Sequence, residues 1–229
     1  MRIGISDFAV VILKSASISR IEKEINLMTV ELILGVAAGL IHIAAFLVYH
    51  RQMLRGLSRP NLATWTLWVF ISTLNCISYI AMSKDIVKGI LPIASTSACL
   101  VVFSSSLFKG KLSGLNIEDY VALILGFVSL FVWWAYHSAT YANLLLQISI
   151  FISFVPTYRG AWKDANIEKP LPWFVWASAY ILTITVVFLR WQDQYQDLVY
   201  PVNCFLLHGG VGILTLRKPK GGFENGGDY

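Results

Sequence analysis

Two stretches hold the side chains that could do chemistry. Trp65, Trp68, Ser72, Asn75 and Tyr79 follow one another at steps of three or four residues, so one helix sets them along a single face. Trp173, Trp176, Tyr180 and Thr183 repeat the pattern. Indole rings stack on flat surfaces, and an amide such as Asn75 adds directional hydrogen bonds. That pairing holds an uncharged small solute and breaks no bonds. A plainer role competes with it. Trp65 and Trp173 can anchor a membrane surface, and Asn75 can act as glue between helices.

Other polar groups sit inside apolar runs: Ser95-Thr96-Ser97, Asn203, His42 and His208. Small hydroxyls of this kind usually serve close packing. A lone neutral histidine is commonly a bonded core residue, although intramembrane His can relay protons. The set expected to face a solute is Trp68, Asn75, Trp176, Tyr180, Asn203 and Ser95.

No catalytic motif accompanies them. Gly-x-Ser-x-Gly, His-Glu-x-x-His, a phosphate-cradling Gly-rich loop and paired acids on one face are all missing, so an enzyme is not expected. Cys76, Cys99 and Cys204 lie in apolar runs without a Cys-x-x-Cys or His neighbour at ligand spacing, which predicts apolar fillers with no metal and no cofactor. Glu31, Asp85, Asp119 and Asp193 fall at the ends of runs. Carriers driven by protons or sodium usually hold an acid near the midplane, so passive movement of a neutral solute is the simpler expectation.

The elements that position these residues are apolar blocks. Hydrophobic residues make up 56% of the 229 and charged ones only 14%, against about a quarter charged in an ordinary soluble domain. The blocks approach the ~20 residues that span hydrocarbon. Seven spans are expected, over 30–48, 62–82, 90–108, 120–136, 141–155, 171–189 and 198–216. Their length without alternation favours helices over barrel strands. The bilayer is then the main partner, and the net charge of +5 calls for no nucleic acid.

Trp173 follows Trp65 by 108 residues; Trp176 follows Trp68, and Phe154 follows Phe46, by the same interval, while Pro201 follows Pro92 by 109. The chain therefore reads as two copies of a three-helix unit. The division is 1–27, an extension that is disordered or a mis-assigned start; 28–108, the first repeat; 109–138, linker helix four; 139–216, the second repeat; and 217–229, a disordered cytoplasmic tail. With one linker helix between them the repeats point the same way, as parallel three-helix bundles. Loops after spans one, three and five plus the tail hold eleven Lys and Arg, against three in the opposite loops and four in the extension, which weaken the bias without reversing it. That bias puts the N-terminus outside and the C-terminus in the cytoplasm of a multi-pass protein of the cell (inner or plasma) membrane. Duplication within one chain permits a dimer without requiring one.

At this point the chain resembles the superfamily of SWEET facilitators, PQ-loop transporters and PnuC-type vitamin transporters. The resemblance lies in the three-plus-one-plus-three order, in Trp65-Thr66-Leu67-Trp68 with Asn75, in Val155-Pro156-Thr157 and in Pro201-Val202-Asn203. Neither repeat carries Pro-Gln itself, and no Asn follows Pro92 as SWEETs would have it. The resemblance implies a uniporter or facilitator that moves a sugar or vitamin-like neutral compound by alternating access. A seven-helix sensor or scaffold is the competing expectation.

Overall fold

A computed structural model describes residues 5–55, 62–109, 114–166 and 168–217, and among them every regular element is a helix. In order these are α1 (Ile5–Leu54), α2 (Leu62–Ser83), α3 (Ile86–Lys109), α4 (Ile117–Tyr136), α5 (Ala139–Ser153), α6 (Val155–Lys163), α7 (Pro170–Leu189) and α8 (Gln196–Thr215). Among the described residues, seven helical stretches are long and apolar enough to cross a membrane, α5 and α6 counting as one. The tail expected from 218 onward lies outside the described residues.

Two boundaries differ from expectation. The extension is helical from Ile5 and runs straight into the first span, because no Gly or Pro interrupts the chain between Ile5 and Leu34. The fifth span, expected to stop at 155, continues through α6 to Lys163. Pro156, which has no N–H to give the preceding turn, breaks the helix only locally at Phe154.

Local chemistry places the ends. Lys84 turns the chain between α2 and α3 with a left-handed φ of 51°, and the Asp85 carboxylate then accepts the Val87 N–H at 2.9 Å to cap α3. At α4 the Asp119 carboxylate reaches back to the Asn116 N–H at 3.0 Å. The Ser138 hydroxyl caps α5.

Small residues bring the helices together. Gly35 and Gly39, one turn apart, lie against Val87 and Ile90 so closely that a methyl group at either would sit 3.1–3.2 Å from those side chains. α1 thereby nests on α3. Gly126 lies under the Phe70 ring, and the Ser149 hydroxyl donates to the Ala122 carbonyl at 2.6 Å, which fastens α4 to α5.

The neighbours form a pattern. α3 packs on both α1 and α2, and α8 packs on both α5 and α7. Across the middle, α1 lies against α7 and α2 against α5; α3 touches α7 and α2 touches α8. Exchanging α1, α2, α3 for α5, α7, α8 leaves this set of contacts unchanged. Only α4 and α6 fall outside it, α4 covering α2 and α5.

Candidate functional site: an aromatic cavity and a sealed ionic end

A cavity of about 260 Å³ lies where the two sets of helices meet. Its lining comes largely in pairs set by the sequence interval: Phe46 with Phe154, Tyr49 with Thr157, Trp65 with Trp173 and Trp68 with Trp176. Deeper in, Ser72 pairs with Tyr180, Ser95 with Cys204 and Cys99 with His208. Its partly exposed end, the mouth, holds Tyr49, Trp65, Thr157 and Glu168, and its buried end, the floor, holds His42, Asn75 and Tyr200.

Five of the six expected residues line this space: Trp68, Asn75, Ser95, Trp176 and Tyr180. Asn203 is elsewhere. Its amide donates to the Gln147 backbone carbonyl at 3.1 Å, in a shallow lateral groove between α5 and α8. The reason is helical phase. Tyr200, Cys204 and His208, at i, i+4 and i+8, form the face of α8 turned to the cavity, and Asn203 lies one position off it. Tyr79 and Thr183, at the far ends of the two stripes, are buried beyond the floor.

Aromatic rings make an edge-to-face belt. Trp68 meets Phe154 at 5.3 Å, Trp173 meets Trp176 at 5.3 Å and Phe46 meets Trp176 at 5.0 Å between centroids. The two imidazoles flank Tyr180, His42 at 5.4 Å and His208 at 5.2 Å. His208 Nδ1 lies 2.7 Å from the Cys204 carbonyl; a carbonyl only accepts, so Nδ1 bears the proton and the neutral ring keeps its lone pair on Nε2. Both nitrogens of His42 and the indole N–H of Trp176 are buried without a hydrogen-bond partner, while Trp173 faces Glu168.

Asn75 is held from behind. Gln147 Nε2 donates to the Asn143 backbone carbonyl at 3.2 Å, which fixes that amide's orientation, and also to Asn75 Oδ1 at 3.0 Å. Asn143 Nδ2 reaches the same oxygen at 3.2 Å and the Ser78 hydroxyl at 2.9 Å. Turning Asn75 over would set its nitrogen against two others. Its Oδ1 is therefore committed, and Nδ2 is the atom left for the cavity. The signal for this support is the pair Asn143 and Gln147, two amides one turn apart in an apolar span.

Glu168 puts a carboxylate at the mouth. Burial pushes its carboxyl above the ordinary range, and the neighbouring Trp173 offsets part of that.

Beyond the floor the structure is sealed by charge. Lys88 Nζ contacts Asp197 Oδ2 at 2.7 Å, each side chain only 1% exposed. Arg190 Nε contacts Asp85 Oδ2 at 2.6 Å, and the same guanidinium also pairs with Glu31. Burial alone would lower the Arg190 pKa; hydrogen bonds and charge from Asp85 and Glu31 outweigh it and raise it. The Tyr79 hydroxyl donates to the Asp197 backbone carbonyl at 2.8 Å. All three ion pairs join α1 or the start of α3 to the end of α7 or the start of α8. By sequence these residues fall in loops or at the ends of spans, although Asp197 follows Lys88 by 109 residues, the interval of the two prolines.

No protein-family model, curated protein or solved structure matches the chain.

Proposed function

We propose that the chain is a multi-pass membrane transporter, built as two parallel three-helix bundles joined by α4, that carries a small neutral solute by alternating access. The observation that carries this reading is one axis with opposite ends: an aromatic, hydrogen-bonding cavity open toward the Trp65 and Glu168 end, and a dry ionic latch closing the other. Every ion pair of the latch bridges the bundles, so rocking one against the other breaks the latch as it closes the mouth. The Lys and Arg bias puts the mouth in the cytoplasm and the latch outside, in the cell membrane. A sensor would hold its ligand in the same cavity, and uptake is what separates the two readings.

The test is uptake into proteoliposomes from a panel of sugars and of vitamin-like and other heterocyclic solutes, repeated with Trp68→Ala and Trp176→Phe. Saturable uptake of at least one solute, reduced in both variants, is expected. If folded protein moves nothing above protein-free vesicles, the transport reading fails.

A further inference from the structure

The two bundles are not closed in the same way. Gly39 of α1 faces α3, where a methyl group at Gly39 would lie 3.2 Å from Ile90 and 3.5 Å from Ala94. The intervals of 108 and 109 carry Gly39 onto Gln147, Ile90 onto Val199 and Ala94 onto Asn203. In the first bundle small residues let the two helices touch. In the second, two amides stand at the same contact. Asn203 Nδ2 donates to the Gln147 backbone carbonyl at 3.1 Å and meets Gln147 Oε1 only at 3.5 Å. Their bulk props α5 from α8 and opens the lateral groove, whose volume is about 600 Å³.

The groove is walled by Leu144, Ile148 and Phe151 of α5 and by Val199 and Val202 of α8, with Asn203 set among them. The Gln147 carbonyl can only accept, so the Asn203 nitrogen is the atom turned to it. Asn203 Oδ1 then accepts a hydrogen bond from none of the described residues. Asn203 is partly exposed and lies seven residues into α8, about 10 Å of helix from its start. At that depth lipid offers acyl chains and no donor, and an unpaired amide oxygen is costly. The missing donor has to come from protein. An amide carries both donor and acceptor, so across a two-fold axis along the membrane normal Asn203 is complementary to itself.

We propose that a second copy of the chain docks on this groove, the two α8 helices crossing at Asn203 in a symmetric dimer whose Asn203 amides bond each other. Val199, Val202 and Leu206, all exposed on α8, supply the apolar contact on either side. Both walls of the groove belong to the second bundle, so the dimer holds that bundle and leaves the first free to rock. Gln147 joins the interface to the cavity floor, because it also donates to Asn75 Oδ1 at 3.0 Å. The proposal rests on the membrane placement above and is independent of whether a solute moves.

The test puts the full chain at high dilution in lipid vesicles and counts copies by single-molecule photobleaching; two are expected. In a background with Cys76, Cys99 and Cys204 replaced by Ala, Leu206→Cys should cross-link between copies under mild oxidation. Phe131→Cys, at an exposed position of α4, should not. Asn203→Leu should weaken dimerisation about threefold to thirtyfold, the scale of interhelical hydrogen bonding in lipid. Val202→Trp, which crowds the rim of the groove, should also weaken it and serves where Asn203→Leu does not fold. Single copies throughout, with lipid alone in the groove, overturn the dimer and leave transport standing. Cross-linking as strong at Phe131→Cys as at Leu206→Cys, or a dimer untouched by either folded variant, also overturns it, as association would then use another face. Dimers with the expected variant effects but no uptake of any solute uphold the dimer and overturn transport. Protein that stays out of the bilayer overturns the membrane placement and the dimer together.

Discussion

Replacing Asp197 with Asn removes the negative partner of Lys88 while keeping side-chain size and the backbone carbonyl that Tyr79 bonds. Lys88 and Asp197 are each 1% exposed and 2.7 Å apart, so the variant strands a buried ammonium. Breaking such a pair costs about 3–5 kcal/mol. A conformer that opens the latch wets Lys88 and escapes this cost, which therefore falls on the closed form alone. At ~1.4 kcal/mol per tenfold, the closed-to-open ratio should drop by roughly two to three and a half powers of ten. The reporters are already in place: Cys99 and Cys204 line the cavity. In a Cys76→Ala background, a membrane-impermeant maleimide applied from the latch side should label them far faster in Asp197→Asn than in the parent. Because the two positions are equivalent in the repeats, Lys88→Asp with Asp197→Lys should restore slow labelling. Unchanged labelling in folded Asp197→Asn, or a double variant as leaky as the single one, would refute the latch.

Three further outcomes follow from the geometry. Glu168 has a raised carboxyl pKa, so the folded chain holds a proton that the unfolded chain has lost. Melting temperature should fall as pH rises from the unfolded carboxyl range through the raised value, and Glu168→Gln should flatten that segment of the profile. Gly210 lies against the Tyr158 hydroxyl, where a methyl group would overlap it. Gly210→Ala should cost about 1–3 kcal/mol in denaturant unfolding, with Tyr158→Phe recovering part of the loss in the double variant. Asn143→Leu leaves Ser78 without that donor and Asn75 Oδ1 with one donor instead of two. It should cost about 1–3 kcal/mol of stability and loosen any binding that depends on Asn75.

Helical phase makes much of this legible before any coordinates. Trp65, Trp68, Ser72 and Asn75 reach one cavity because their spacing leaves them no other face. The interval of 108 places Trp173, Trp176 and Tyr180 opposite for the same reason. What stays hidden needs the third dimension. Phe46 and Phe154 read as ordinary apolar residues, and only the approach of α1 to α7 turns Phe46 onto Trp176. Asn203 stands out by its distance from Pro201, which says nothing of rotation about α8. Asp85, Lys88, Arg190 and Asp197 lie at helix ends and Glu31 at the head of the expected first span, where a charge ordinarily faces water. Their burial arises from partners more than a hundred residues away, which one-dimensional spacing does not reveal.

The motion itself is the most direct test. Spin labels at Arg55 and Lys163 report the mouth side, and labels at Lys84 and Asp193 the latch side; all four positions are exposed. Pulsed-dipolar distances in lipid should show the two pairs moving oppositely. In Asp197→Asn, or with a transported solute added, the Lys84–Asp193 distance should lengthen while the Arg55–Lys163 distance shortens. A single unchanged distance for both pairs under every condition would contradict alternating access in this chain.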